Sequence, residues 1–144
     1  MTALDLPATT ESVPMARRFV RQLIDDAESG ADMDTAVLLV SEVVTNAVLH
    51  ARTPMTVEVQ TSGDEVRVEV RDGSPVHPRI HAFSPTSATG RGLRLLDQLA
   101  ARWGVERDAA SGGKVVWFEV GMVSETTWSV FGEDWLAEGV GGDL

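Results

Sequence analysis

The stretch Leu38-Leu-Val-Ser-Glu-Val-Val-Thr-Asn-Ala-Val-Leu-His50 is the most informative part of this chain. Its apolar residues recur at helical spacing, which predicts a largely buried helix. At about 100° per residue, Glu42 and Asn46 lie close together on that helix, among the leucines. Burying either group without a partner costs on the order of 1–3 kcal/mol, so the fold must supply a partner, a metal or a water-filled pocket. Spacing alone leaves open whether Glu42 pairs with an arginine and Asn46 tethers a loop, or both line a ligand site.

The residues around this helix predict one α+β domain. Stretches with helical periodicity alternate with stretches in which every second residue is apolar. We predict helices over 13–28, from Asp32 or Asp34 to about Ala51, and from Gly92 onward, and strands over 55–61, 65–72, 103–107 and 114–120. This order predicts a two-layer α/β sandwich, in which helices cover one face of a mainly antiparallel mixed sheet. The irregular segment 73–90 is long for a connecting loop, and such loops usually carry a function.

The two ends of the chain differ from this pattern. Residues 1–11 show no periodicity and are expected to form a flexible leader, ordered only if it docks. The domain itself is expected over 12–123. Residues 124–144 are acidic and contain Trp128, Phe131 and Trp135, so this segment is expected either to cover a bare patch of the sheet or to act as a docking tail.

Composition restricts the function classes. The 144 residues carry a formal net charge of −10 and no cysteine, which excludes disulfides and thiolate zinc sites. A pI near 4.6 disfavours binding to nucleic acid or to anionic lipid, since both repel an acidic protein. The sequence shows no signal peptide and no uninterrupted apolar run long enough to cross a membrane, so we expect a soluble cytoplasmic protein.

Two further motifs are typical of ligand sites. Asp72-Gly73 ends a half-buried strand, where a carboxylate can accept a hydrogen bond from an exocyclic amine such as that of adenine. Gly90-Arg-Gly-Leu93 lies where the long loop meets a helix, and glycines at a helix start allow backbone amides to approach an anion such as phosphate. Each motif is weak evidence by itself, since Asp-Gly is a common turn and Gly-x-Gly lacks the lysine of a P-loop.

Taken together and in this order, the three motifs resemble the N, G1 and G2 boxes of the Bergerat-type ATP-binding fold shared by gyrase, MutL and histidine kinases. Within this GHKL superfamily, Glu42-x-x-x-Asn-Ala-x-x-His50, Ser12-x-x-x-Ala-Arg17 and Gly113-Lys-x-Val-Trp117 are similar to the RsbW-type anti-sigma factor serine kinases. The resemblance covers about residues 10–122.

The resemblance implies a role for each matching residue. Asn46 coordinates Mg²⁺ that bridges the phosphates of ATP, Asp72 binds the adenine amino group, and Glu42 is the catalytic general base that deprotonates a serine of a partner protein. The remaining cofactor-binding positions are His50, Gly73, Gly90, Arg91, Gly92 and Leu93, with residues 78–91 as a mobile lid. Such chemistry fits phosphoryl transfer, in which positioning and charge neutralisation supply most of the catalysis.

Two departures from the family pattern bear on activity. The usual G1 box is Asp-x-Gly-x-Gly, whereas Gly73 follows Asp72 directly and Ser74-Pro75 comes next. The lid also contains no lysine, so Arg91 or Arg94 must contact the phosphates.

The resemblance predicts a homodimer that sequesters a sigma factor and phosphorylates an anti-anti-sigma protein of the STAS type. An alternative is a catalytically impaired partner-switching module that keeps the fold and only binds its regulators. A second alternative is the catalytic domain of a sensor histidine kinase, which we disfavour because no helix pair with a phosphoacceptor histidine precedes the first predicted helix.

Overall fold

The computed structural model describes residues 2–75 and 88–123, and for residues 88–93 it describes the backbone alone. The strands are β1 (Thr2–Leu6), β2 (Met55–Ser62), β3 (Glu65–Asp72), β4 (Arg102–Arg107) and β5 (Lys114–Val120), and the helices are α1 (Ser12–Asp26), α2 (Met33–Asn46) and α3 (Ala88–Leu99). A π-helical turn, Ala47–Ala51, directly continues α2.

The five strands form one sheet in the order β1-β2-β3-β5-β4, and every neighbouring pair is antiparallel. The predicted α+β sandwich is therefore confirmed. The expectation of a mixed sheet is corrected, because the described strands contain no parallel pair. The hairpin predicted at Ser62-Gly-Asp64 joins β2 to β3 as expected.

The helices cover one face of the sheet, which we call the inner face. Alternate residues of β2, β3 and β5 point to it, as the period-2 pattern predicts. Val57, Val68 and Phe118 on this face are fully buried, and so are Val40 and Val44 of α2 opposite them. The core thus lies between the sheet and the helices, with α2 central.

The first strand corrects the prediction of a flexible leader over residues 1–11. Residues 2–6 pair with β2, with Leu6 opposite Met55, and Leu6 is only 2% exposed. A strand of five residues with two leucines, Leu4 and Leu6, offers too little pattern to be distinguished from an irregular terminus. Its stability comes from the partner strand rather than from its own sequence.

The stretch Met33–Ala51 is, by length and a mean hydropathy of 1.2, apolar enough to cross a membrane, a test that a buried core helix also passes. Half of it is buried inside the domain, where it packs on the inner face. Its start is defined by Asp32, whose carboxylate accepts hydrogen bonds from the Thr35 N–H and hydroxyl. A central core helix is expected to be apolar on most sides.

The outer face of the sheet carries an ion-pair network. Arg67 pairs with Glu69 and Glu119, and Arg102 pairs with Glu119 and Glu65. The Arg67 guanidinium also lies over the Trp117 ring, 4.2 Å from its centroid. Charged groups thus occupy the face that the helices leave uncovered.

The third helix begins at Ala88, four residues before the predicted start at Gly92. Gly90 and Gly92 therefore lie within the first turns of α3 rather than before it. Residues 76–87, which include most of the predicted lid, and the acidic aromatic segment 124–144 lie outside the described residues.

Candidate functional site

Backbone hydrogen bonds establish which end of the sheet holds the end of α2. The Asp32 N–H donates to the Gly121 carbonyl at 2.7 Å, so α2 begins where β5 ends. Fourteen helical residues span about 21 Å, close to the length of β5, which brings Asn46 toward the end where β5 begins. Nine residues later Met55 opens β2 opposite Asp72. Asn46 and Asp72 therefore belong to the same end of the domain.

The third helix has the opposite direction. Just after its last residue, the Ala101 N–H donates to the Glu119 carbonyl at 2.8 Å, at the far end of the sheet. Leu96 and Leu99 of α3 are in the common core beside α2. The N-terminus of α3, with Gly90 and Gly92, is thereby directed toward the end that holds Asn46 and Asp72. The fold brings together the three motifs that the sequence separates by up to 50 residues.

Asn46 is the most unusual residue at this end. It is 8% exposed, and its Oδ1 atom is fully buried without a hydrogen-bond partner in the described part of the chain. Buried polar atoms are nearly always paired, so an orphan acceptor indicates a binding site or a missing water or ion. Of the two polar groups that the sequence singles out on α2, Asn46 has an oxygen without a partner among the described residues.

Helical geometry changes immediately after Asn46. The π-helical turn Ala47–Ala51 is closed by a hydrogen bond from the Arg52 N–H to the Ala47 carbonyl at 3.1 Å, and Arg52 then adopts a left-handed conformation with φ of 57°. Such single π turns occur frequently at functional sites. His50 lies in this turn and is exposed. Glu42 lies one turn before Asn46 and is half-buried.

Asp72 is buried at the end of β3, with 4% exposure, and points to the inner face. Its Oδ1 atom accepts a hydrogen bond from the Ser74 N–H at 2.8 Å. Next to it, the Gly73 N–H donates to the Thr53 hydroxyl at 2.8 Å, which ties this turn to the segment after the π turn. These two hydrogen bonds connect the turn after Asp72 to its own carboxylate and to the segment that follows the π turn.

A sequence model of the histidine kinase-like ATPase domain matches residues 6–120. The chain belongs to this family. The match runs from the last residue of β1 to the last residue of β5, so it covers the whole described fold except its ends. None of the curated proteins matches the chain.

For a histidine kinase-like ATPase domain, ATP is the nucleotide that the site binds, and α3 suits its phosphates. The first backbone N–H groups of a helix have no helical acceptor, and the helix dipole favours negative charge there. Because α3 begins at Ala88, Gly90 is the predicted phosphate-binding residue that lies among these first N–H groups. The N–H groups of Gly92 and Leu93 lie one turn further in, where the carbonyls of Ala88 and Thr89 are their helical acceptors. The side chains of Arg91 and Leu93 lie outside the described residues, and Arg94 is exposed.

Sequence reasoning missed one residue of this ATPase domain. Lys114 is 8% exposed, and its Nζ lies 3.1 Å from both carboxylate oxygens of Asp72. A signal was available, because Lys114 is the only lysine of the chain and opens the strand beside β3. The pairing itself depends on the register of β3 with β5, which places Asp72 directly opposite Lys114.

Proposed function

We propose that this ATPase domain is an anti-sigma factor with serine kinase activity, which sequesters a sigma factor and phosphorylates a serine of a STAS-type anti-anti-sigma protein. The observation that carries the proposal is the orphaned Oδ1 atom of Asn46, at the position where the resemblance expects a magnesium ligand. Mg²⁺ prefers oxygen ligands and keeps several waters, so one amide oxygen together with nucleotide phosphates suits it.

Each remaining residue has a defined task in this proposal. Asp72 accepts a hydrogen bond from the adenine amine, and the N-terminal turns of α3 bind the phosphates. Asn46 would hold Mg²⁺, which would supply the positive charge that neutralises the phosphates. Glu42 accepts the proton of the partner serine, whose oxygen forms a bond to the γ-phosphorus. The bond between that phosphorus and the bridging oxygen breaks, and ADP leaves.

Separate variants test binding and transfer. The protein is incubated with ATP labelled at the γ-phosphate and with STAS-type proteins encoded in the same genome. We expect label on a partner serine, retained nucleotide binding with loss of transfer in Glu42→Gln, and loss of magnesium-dependent binding in Asn46→Ala. Nucleotide binding without transfer to any partner would refute the kinase assignment.

The second candidate is a module that binds its regulators without transferring phosphate. It is favoured by the contacts of Asp72, since Lys114 and the Ser74 N–H already use most of the acceptor capacity of this carboxylate. A stable complex with a sigma factor or STAS-type protein, formed equally with and without ATP, would support this candidate over the kinase.

A further inference from the structure

The contact between Asp72 and Lys114 is the best-defined polar interaction at the candidate site. Both residues are buried, and the ammonium lies 3.1 Å from each carboxylate oxygen. Removing one member of a buried ion pair leaves an uncompensated charge, which is strongly destabilising. Because the ammonium contacts both carboxylate oxygens, it fixes the orientation of Asp72.

The backbone of β5 is shaped to allow this contact. A Cβ atom on Gly113 would lie 1.9 Å from the Asp72 carbonyl oxygen and 2.8 Å from the Gly73 Cα atom. Only a glycine lets the start of β5 approach the Asp72-Gly73 turn this closely. The next residue is Lys114, so the close approach of the backbone delivers the ammonium directly to the carboxylate.

The ion pair with Lys114 uses only part of the hydrogen-bond acceptor capacity of the Asp72 carboxylate. A carboxylate has about four lone-pair sites. The Ser74 N–H and the Lys114 ammonium occupy two at Oδ1, and the ammonium occupies one at Oδ2. Among the described residues, no donor occupies the remaining acceptor position at Oδ2, and a carboxylate has no proton to donate. The group can thus bind a donor such as an amine, but it repels a carbonyl oxygen.

We infer that Lys114 is a positioning residue that holds Asp72 as a one-site acceptor and so makes the pocket select 6-aminopurine over 6-oxopurine nucleotides. The inference rests on the proposed nucleotide site and specifies how that site discriminates. Without Lys114, the Asp72 carboxylate loses the donor that contacts both of its oxygens and fixes its orientation. A carboxyl group that can turn no longer presents a single acceptor in a defined place, so it discriminates less between the two purines.

The single lysine allows a direct measurement on the unmodified protein. Labelling with ¹⁵N-lysine gives one side-chain Nζ signal in an NMR spectrum, that of Lys114. We expect this signal to be protected from fast exchange and to shift when ADP and Mg²⁺ are added, with a smaller shift for IDP. An Nζ signal that stays unchanged while ADP binds would overturn the inference.

Variants test the selectivity itself. Dissociation constants of ADP and IDP with Mg²⁺ are measured by calorimetry for the wild type, Lys114→Met, Asp72→Asn and the double variant. We expect the wild type to prefer ADP about tenfold or more, the value of one good hydrogen bond. Lys114→Met should weaken ADP binding about tenfold and IDP binding less than about threefold. The double variant should match Asp72→Asn, since no carboxylate remains for Lys114 to pair with and position.

Arg107→Met is the matched control, because Arg107 lies opposite Lys114 in β4, is exposed, and carries the same charge. It should retain the wild-type preference. Equal weakening of ADP and IDP in Lys114→Met, with the preference kept, would assign Lys114 a purely structural role and overturn the inference. Wild-type protein that binds both nucleotides equally would also overturn it, whereas wild-type protein that binds neither would refute the proposed nucleotide site itself. Should Lys114→Met not fold, the NMR measurement on the wild type decides the question.

Discussion

One oxygen atom of Asn46 affects both the stability of the fold and the proposed binding of a ligand. Its Oδ1 is buried without a donor in the described residues, which costs about 1–3 kcal/mol of stability. Proteins commonly retain destabilising groups where binding requires them. The atom is thus better explained by a ligand than by the apo fold.

This explanation predicts a trade-off between stability and binding at Asn46. Asn46→Leu replaces the amide with an apolar group of similar size, so we expect the free energy of unfolding without ligand to rise by about 1 kcal/mol. Added Mg²⁺ and ATP should then stabilise the variant no further, unlike the wild type. Urea denaturation without and with Mg²⁺ and ATP measures the free energy of unfolding and its increase on ligand binding. Ser41→Ala on the same helix is the control and should still be stabilised by Mg²⁺ and ATP. A marked loss of stability in ligand-free Asn46→Leu would contradict this explanation.

Gly113 provides a second residue-scale prediction. Gly113→Ala forces the start of β5 away from the Asp72 backbone, because its Cβ would lie 1.9 Å from the Asp72 carbonyl oxygen. We expect a loss of about 2 kcal/mol or more in stability together with loss of nucleotide binding, since the clash is with backbone. Gly121→Ala, at the other end of β5, meets nothing within 4 Å and should change neither quantity. Both are measured by thermal unfolding with and without ADP, and equal behaviour of the two variants would disprove the role of Gly113.

The elements of this domain were predictable from the sequence where the pattern is local. The alternation in β2 and β3 and the apolar stripe of α2 predicted these elements and their buried faces, since 2.0 and 3.6 residue periods are read directly from the chain. The short strand β1 was not predictable, because its stability depends on pairing with β2. The start of α3 was misplaced because glycines are poor helix formers, and the sequence pattern gave no reason to extend the helix through them.

The candidate site likewise contains residues that the sequence predicts and one that depends on strand pairing. Short sequence motifs contain Glu42, Asn46, Asp72 and the glycines of α3. These residues could therefore be identified without the structure. Lys114 occurs only within the Gly113-Lys-x-Val-Trp117 motif, which does not reveal its contact, since its partner lies 42 residues away and is reached only through the antiparallel register of β3 and β5. Pairing across strands is the step that sequence reasoning could not make.

The contribution of β1 to the stability of the domain can be measured. Leu6 is 2% exposed and packs in the common core. Leu6→Ala should reduce the free energy of unfolding by about 2–4 kcal/mol, as for other buried leucines. Ala3→Ser, on the exposed side of the same strand, should change it by less than about 0.5 kcal/mol. Equal, small effects in chemical denaturation would show that β1 contributes nothing to stability.

At the scale of the whole molecule, the outer face couples stability to pH. Burial by itself raises the pKa of Glu119, but hydrogen bonds from Arg102 and Arg67 outweigh it, and the pKa lies below the usual value. A hydrogen bond from Ser111 lowers the pKa of Asp108, with a further contribution from Arg71. Both carboxylates therefore bind protons less readily in the folded protein than in the unfolded chain.

The sign of the pH dependence follows from these lowered pKa values. The stabilisation is fully present above the ordinary carboxyl pKa of about 4 and is lost as the pH falls through the lower folded values. We expect the melting temperature to be nearly constant from pH 6 to 8 and to fall below about pH 5. The melting temperature of Glu119→Gln should lie furthest below that of the wild type at neutral pH, and the difference should shrink toward pH 3. A deficit that is independent of pH, measured by calorimetry across this range, would show that the Glu119 charge does not stabilise the fold.

The central claim is that the orphaned oxygen of Asn46 serves a magnesium-bound nucleotide. The most direct measurement is calorimetric titration of a non-hydrolysable ATP analogue into the wild type and into Asn46→Ala, each with and without Mg²⁺. We predict that the wild type binds the analogue with an affinity that Mg²⁺ increases, and that Asn46→Ala loses this increase, with affinity in Mg²⁺ reduced about tenfold or more. Equal affinity of the two proteins in Mg²⁺, or no binding by the wild type, would contradict the claim.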